Sequence, residues 1–167
     1  VPGHEYDFVV WADFVVNGVD TYFDTSNGLD EIKMLNEEAM TEARDAYYGV
    51  HTLTEDKTPA SIGTITLKRP FAKLRVVTTD LKNLTNLGII PHNAVVEYTT
   101  NHRVAFNALA GKAADASEAK THTFDLAQYT NESNTGAEYT LFTDYFFAEN
   151  DIVKFDLTVK ENGGKVI

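Results

Sequence analysis

The sequence predicts an all-β protein, an antiparallel β-sandwich with a short irregular or helical excursion. Three observations predict this class: several segments are dense in β-branched and aromatic residues, several alternate between apolar and polar positions, and clusters of Gly, Asn, Asp and Pro separate them. Helix-forming residues are concentrated in one stretch, residues 29–48. Seven or eight short strands with turn-rich joints and little helix are typical of a two-layered antiparallel sandwich.

The N-terminal part is predicted to form a hairpin followed by the excursion. Residues 6–16 alternate as a long first strand, and Asn17–Gly18 is a strong signal for a two-residue turn into a return strand at 19–23. A cluster of turn residues at 24–28 then ends the hairpin region. Residues 29–48 have irregular apolar spacing, so we expect a mostly irregular excursion with up to two helical turns.

The remainder of the chain is predicted to supply the other strands. We expect strands at residues 61–67, 70–79, 93–100, 121–126, 139–147 and 153–160, a helical turn at 81–87, a loop at 108–119 and a polar connector at 128–136. The segment at 139–147 is apolar on both faces, as expected of a strand in the middle of a sandwich, whereas 153–160 alternates cleanly.

Composition limits the classes of partner. The chain has 167 residues, enough for one domain with a substantial core, and we expect residues 1–167 to form a single domain. Its Lys and Arg number 14 against 25 Asp and Glu, a net charge of −11 that repels phosphate backbones and argues against a nucleic-acid partner. The absence of cysteine excludes thiol nucleophiles, zinc knuckles, iron–sulfur clusters and disulfides.

The patterns that carry catalysis or metal binding are weak in this sequence. Residues 59–63 come nearest to a nucleophile elbow around Ser61 but lack its first glycine. The histidines show no metal-ligand spacing, and we expect them at the surface or in loops: His4, His51, His92, His102 and His122. We therefore expect no enzyme, no catalytic residue, no cofactor and no metal site. A loop calcium site stays open at a set of oxygen-bearing residues, Asp24, Ser26, Asn27, Asp30 and Glu31.

Four aromatic residues could form a platform for stacking sugars: Trp11, Tyr22, Tyr47 and Tyr48. Trp11 has the opposite parity on the first strand to Phe8 and Phe14, so it faces either a second layer or solvent. A role in the core or in covering a layer is favoured, because the excursion that carries Tyr47 and Tyr48 must pack on something.

One motif resembles a known family. Residues 67–76, LKRPFAKLRV, resemble the Leu-x-Arg-Pro-x-Ala-Lys-aliphatic signature of the fimbrillin-like proteins, the type V pilus subunit and outer-membrane anchor family of Bacteroidales. Shorter pieces at 6–13, 44–49, 95–98 and 105–107 are also similar to that family. Structural roles suit the motif residues: Pro70 sets the strand entry, Phe71 packs in the core, Ala72 allows close approach, and Arg69 and Lys73 lie along the sheet with buried stems.

The resemblance implies a transthyretin-like Greek-key sandwich and a non-enzymatic structural or adhesion subunit of a surface fimbria, of anchor or accessory type. Its partners would be other fimbrial subunits, joined by strand addition, and an upstream lipid would hold the protein at the outer membrane. Members of that family generally have two domains, so the resemblance also implies that this chain is the N-terminal domain of a longer lipoprotein, which suits the start of the chain and its final turn at 161–165. The first alternative is a surface glycan-binding module that uses the aromatic set, and the second is a hydrolase whose catalytic acids the sequence does not pair.

Overall fold

The chain is all-β and sandwich-like, with antiparallel sheets throughout. A computed structural model describes residues 3–54, 63–114, 117–118, 120–126, 138–147 and 152–167. The strands in this part of the chain are β1 (Glu5–Asp13), β2 (Val15–Val16), β3 (Val19–Asp20), β4 (Phe23–Asp24), β5 (Ile32–Met34), β6 (Ala46–Thr54), β7 (Phe71–Thr78), β8 (Pro91–Tyr98), β9 (His102–Arg103), β10 (Ala105–Asn107), β11 (Lys112–Ala113), β12 (Ser117–Glu118), β13 (Thr121–Asp125), β14 (Tyr139–Phe147) and β15 (Phe155–Glu161). The helix α1 spans Leu81–Asn86.

Two sheets form the sandwich. The first has the strand order β12-β9-β14-β7 and the second β13-β8-β15. The chain alternates between them, because β7, β9 and β14 lie in the first sheet whereas β8, β13 and β15 lie in the second. Their facing sides meet in an apolar cluster in which Phe142 of β14 packs with Val96 and Tyr98 of β8.

A third layer covers the other face of the first sheet. It consists of the two-stranded ribbon β1-β6 and a side sheet ordered β11-β10-β5-β4. Phe71 and Phe147 of the first sheet stack with their ring centroids 4.8 Å apart and pack against Phe23 and Phe106 of the side sheet. Because β14 is covered on both sides, the prediction that 139–147 lies in the middle of the sandwich is confirmed.

Several predicted elements are confirmed. The Asn17–Gly18 turn joins β2 to β3, and both residues have positive φ, 51° and 77°, as a type I′ hairpin turn requires. Strands β7, β8, β13 and β15 match the predictions at 70–79, 93–100, 121–126 and 153–160 within a few residues, and α1 matches the turn at 81–87. The predicted connector at 128–136 lies outside the described residues, as does Ser61.

Other predictions were wrong. The first strand breaks at Phe14 into β1 and β2, and the return strand at 19–23 divides into β3, which pairs with β2, and β4, which pairs with β5. The excursion is irregular from 35 to 45 but contains no helical turn, and its last residues begin the long strand β6. Residues 63–67 form no strand, and the predicted loop at 108–119 includes β11 and β12.

Candidate functional site

The ribbon β1-β6 exposes an unusually long strand edge. All nine residues of β1 pair with β6, from Glu5 opposite Thr54 to Asp13 opposite Ala46. No other strand in the described part of the chain pairs with β1. Edge strands in soluble proteins are commonly short or protected, because their unpaired backbone groups recruit other strands.

The hydrogen bonds of Tyr48 identify which backbone groups of β1 face this open edge. Tyr48 exchanges two backbone hydrogen bonds of 2.9 Å with Lys68, so its N–H and C=O both point away from β1. Trp11, which lies opposite Tyr48, is therefore in a non-hydrogen-bonded pair, and its own N–H and C=O point away from β6. By alternation, the backbone groups of Asp7, Val9 and Asp13 also point to the open edge.

A groove of about 400 Å³ runs beside this edge. One wall is β1, from Val9 to Asp13, and the other includes Asp20, Thr25 and Leu29. Val9 and Trp11 are also packed against the core cluster of the third layer, so the floor of the groove is apolar. The arrangement offers backbone hydrogen-bonding groups, an apolar floor and carboxylates in one place. We call it the β1 groove.

The outer face of the ribbon is apolar and exposed. Tyr6 and Phe8 of β1 lie on this face and are 38% and 36% exposed. Beyond the end of β1, Phe14 and Val19 are more exposed still, at 57% and 63%. A large apolar face bordering an open edge is typical of a protein–protein contact surface.

A buried ion pair joins the excursion to the first sheet. The Arg44 guanidinium is fully buried, and its Nη1 lies 2.5 Å from Asp144 Oδ1 in β14. Its other donors reach the carbonyl oxygens of Glu38 and Tyr145 and the sulfur of Met34, whereas Nε has no hydrogen-bond partner among the described residues. Such an arrangement fixes the path of the excursion, because neither charge can be left alone in the interior.

Asp144 also bridges the two sheets of the sandwich. Its Oδ2 accepts a hydrogen bond of 2.5 Å from the Tyr98 hydroxyl and lies 3.4 Å from His122 Nε2, both in the second sheet. Burial acts to raise the pKa of Asp144, but His122, the Arg44 charge and Tyr98 outweigh it and hold that pKa below its usual value. Burial and the Asp144 carboxylate raise the pKa of Tyr98, so the phenol stays a donor.

A second buried acid lies nearby. Glu37 Oε2 is 2.7 Å from His102 Nε2 and 3.3 Å from Lys120 Nζ. Burial opposes the charge on Glu37, yet the hydrogen bond with His102 and the Lys120 charge hold its pKa below the usual value. His102 is 2% exposed, so the prediction of surface or loop histidines is wrong at this position. We call Arg44, Asp144, Tyr98, Glu37 and His102 the buried polar network.

The family-motif residues connect β7 to the excursion. Arg69 donates two hydrogen bonds of 2.7–2.8 Å to the Asp45 carboxylate and lies over the Tyr47 ring, and Lys73 is 2.6 Å from Glu42. Their side chains are 55% and 40% exposed, so these ion pairs are accessible to solvent.

Pro70 and Phe71 have the places expected of them. Pro70 is buried immediately before β7, Phe71 packs in the core, and Ala72 is half-buried within the strand. The five motif residues therefore act on packing and on the attachment of the excursion.

The structure does not gather the four aromatic residues on one exposed surface. Tyr22 and Tyr48 are buried at 8% and 5%, and Trp11 lies edge-on to Phe23 at 5.3 Å between ring centroids. Trp11 thus faces a second layer, as the preferred interpretation held. Tyr47 lines a shallow groove of about 290 Å³ with Asp45 and Glu42.

The described part of the chain has neither a metal-binding cluster nor a membrane-spanning helix. No group of three or more His, Asp or Glu side chains there could hold a metal ion. In the open calcium candidate, Asp24 Oδ1 instead accepts the Ser26 N–H at 2.9 Å, and Glu31 pairs with Lys33. Among the same residues, no helix is long and apolar enough to cross a bilayer.

Comparison with known proteins places the chain in one family. A family model described as a family of unknown function, DUF6562, matches residues 1–167. The chain belongs to DUF6562. No curated protein and no solved structure matches this DUF6562 chain significantly.

The buried polar network was not predicted from the sequence. Arg44 stands among helix-forming residues, and that local pattern does not indicate burial of its charge. The one available signal was Asp144 itself, an acid inside a strand that is apolar on both faces. Such a residue needs a buried partner, although the sequence does not say which.

Proposed function

We propose that this chain is a non-enzymatic structural or adhesion subunit of a bacterial surface fimbria, of anchor or accessory type, that assembles by strand addition. The observation that carries the proposal is the open edge of β1, nine residues long and paired on one side among the described residues. An added strand satisfies the backbone groups of such an edge and covers its apolar side chains. The resemblance of the segment around Arg69 and Pro70 to fimbrillin-like proteins supports the same class.

Export and attachment belong to the same proposal. The protein would be carried to the outer membrane and held there by a lipid on a segment upstream of Val1, so that the fimbrium stands on the cell surface. The net charge of −11 favours a soluble, well-separated subunit over one that binds nucleic acid.

The test is made in the bacterium that encodes the protein, with the full-length gene. A photo-cross-linking amino acid replaces Asp7 at the open edge in one strain and Glu97, exposed on β8, in a control strain. We expect the protein in the outer-membrane and sheared-fimbria fractions, and a cross-link from position 7, but not from 97, to a fimbrial subunit identified by mass spectrometry. A cytosolic protein, or equal cross-linking from both positions, would contradict the proposal.

A further inference from the structure

Along the β1 groove and just beyond its end, strand β1 places two acids and two apolar side chains in an alternating row. Asp7, Val9, Trp11 and Asp13 are successive odd residues of β1, so their side chains lie on one face of the ribbon. Val9 and Trp11 occupy the middle of the row and pack on the core. Asp7 is exposed, and Asp13 is half-buried at the end of the groove.

Each of the two acids accepts a hydrogen bond from a neutral donor, so the negative charge of its carboxylate is not neutralised. Asp7 accepts a hydrogen bond of 2.6 Å from the Thr52 hydroxyl, and Asp13 accepts one of 3.1 Å from the Trp11 indole N–H. Both donors are neutral, and no ion pair joins either carboxylate to a described Lys, Arg or His. Asp20, on the opposite wall, is the second acid that lines the groove beside Asp13.

We propose that the β1 groove binds an extended segment with the pattern basic-x-apolar-x-apolar-x-basic, donated by a different protein. This inference rests on the proposed strand addition and specifies its register and partner. The backbone of the segment pairs with the outward groups of Asp7, Val9, Trp11 and Asp13. Directly opposite residues of paired strands share a face, so its two apolar side chains lie beside Val9 and Trp11 and its two basic side chains beside the acids.

The pattern reads the same in both directions, so the geometry fits a parallel or an antiparallel segment. It also argues against a second copy as the occupant. No segment of the 167 residues has Lys or Arg at the first and seventh positions with apolar residues at the third and fifth. Two copies, each of charge −11, also repel one another.

The chain contains its own reporter for this test. Trp11 is the single tryptophan, and it lines the groove, so its fluorescence responds to an occupant that carries no tryptophan. The probe is the synthetic peptide acetyl-Thr-Lys-Thr-Val-Thr-Val-Thr-Lys-Thr-amide. A second peptide has Glu in place of both lysines, and a third moves one lysine by one position so that the charges fall on opposite faces.

We expect the lysine peptide to change Trp11 fluorescence with saturable binding, about tenfold tighter than the glutamate peptide or the shifted peptide. The double variant Asp7→Lys/Asp13→Lys should reverse the preference between the lysine and glutamate peptides. Asp156→Lys, at an exposed aspartate of β15, should leave the preference unchanged. The reversal keeps the test valid even if the double variant is slightly less stable, because it compares two peptides on one protein.

Three results would overturn the inference: no binding of the lysine peptide, equal binding of all three peptides, or dimerisation of the chain through β1 in sedimentation experiments. These are separate from failure of the fimbrial proposal. If the protein fractionates with the cytosol but binds the peptides with the expected charge reversal, the proposed binding register is kept and the fimbrial function is rejected. If position 7 cross-links to a fimbrial subunit but the three peptides bind equally, the fimbrial function is kept and the proposed binding register is rejected.

Discussion

Arg44 and Asp144 are 100 residues apart in the chain and form a buried ion pair, with Arg44 Nη1 2.5 Å from Asp144 Oδ1. The pair attaches an irregular segment to the central strand of the first sheet. The Asp144 carboxylate also accepts a hydrogen bond from the Tyr98 hydroxyl of the second sheet. It therefore connects the excursion, the first sheet and the second sheet.

We expect Asp144→Asn to lower the free energy of unfolding by about 3 to 5 kcal/mol, because it leaves the Arg44 charge buried without a counterion. Urea denaturation followed by circular dichroism measures the loss. Asp156→Asn, on the exposed face of β15, is the matched control and should change stability by less than about 0.5 kcal/mol.

If Asp144→Asn prevents folding altogether, the double variant Arg44→Met/Asp144→Asn separates the two explanations. Removing both charges should recover part of the lost stability, because the unpaired charge is then gone. Equal stability of Asp144→Asn and the unsubstituted chain would show that the ion pair does not hold the excursion in place.

The second prediction concerns acid stability through Glu37. Its folded pKa lies below the ordinary value of 4.5, so its contribution to stability is fully present above that value and is lost as the pH falls through the folded pKa. Glu37→Gln should therefore be less stable than the unsubstituted chain at pH 7, by about 1 to 2 kcal/mol. The difference in the free energy of unfolding between Glu37→Gln and the unsubstituted chain should narrow below about pH 4.

Urea midpoints measured from pH 7 to pH 3 test this dependence. The control is Glu97→Gln, an exposed position on β8, whose midpoint should follow that of the unsubstituted chain at every pH. A Glu37→Gln difference that stays constant across the range would mean that the charge of Glu37 does not stabilise the fold.

The elements that were predicted correctly are those with a local physical signature. β14 is apolar on both faces, β15 alternates, and the Asn17–Gly18 turn needs two residues that tolerate positive φ. Each can be derived from fewer than ten neighbouring residues, and the sandwich class follows from their number and spacing.

The elements that were missed depend on distant partners. β6 begins within a segment of helix formers, and its strand conformation follows from pairing with β1, about 40 residues earlier. Strands β9 and β11 have two residues each, too few to show a period. The buried polar network was missed for the same reason, because burial of Arg44 depends on the carboxylate of Asp144, 100 residues later in the chain.

The third prediction concerns the motif residue Arg69. Its guanidinium makes a two-point contact with the Asp45 carboxylate, which a lysine ammonium does not reproduce. The Arg69 side chain is 55% exposed, so we expect Arg69→Lys to cost less than about 1 kcal/mol. A double-mutant cycle with Asp45→Asn, measured by urea denaturation, should give a coupling of about 0.2 to 1 kcal/mol. A coupling of zero would show that the motif attaches the excursion through another contact.

The last prediction concerns the close approach of a chain segment to β6 at Gly49. A Cβ added at this residue would lie 2.7 Å from Ile65 Cγ2, 2.8 Å from Leu67 Cδ2 and 3.0 Å from the backbone oxygen of Thr66. The side chains can move, but the backbone oxygen is held beside the Tyr48–Lys68 hydrogen bonds, so Gly49→Ala must displace the segment. We expect a loss of about 1 to 3 kcal/mol in the free energy of unfolding, as for other overpacked sites.

Val50→Ala is the control for Gly49→Ala, because Val50 is the next residue of β6, its side chain is 39% exposed, and it points to the face opposite to the one that the segment at 65–67 approaches. Val50→Ala removes two side-chain carbons whereas Gly49→Ala adds one, yet Val50→Ala should lower the free energy of unfolding by less. Hydrogen exchange should also show faster exchange of the Lys68 amide in Gly49→Ala, since this amide donates to the Tyr48 carbonyl. Unchanged exchange at Lys68 together with unchanged stability would show that the segment at 65–68 can move away from β6 without a loss of stability. In that case Gly49 would not be needed for its close approach to β6.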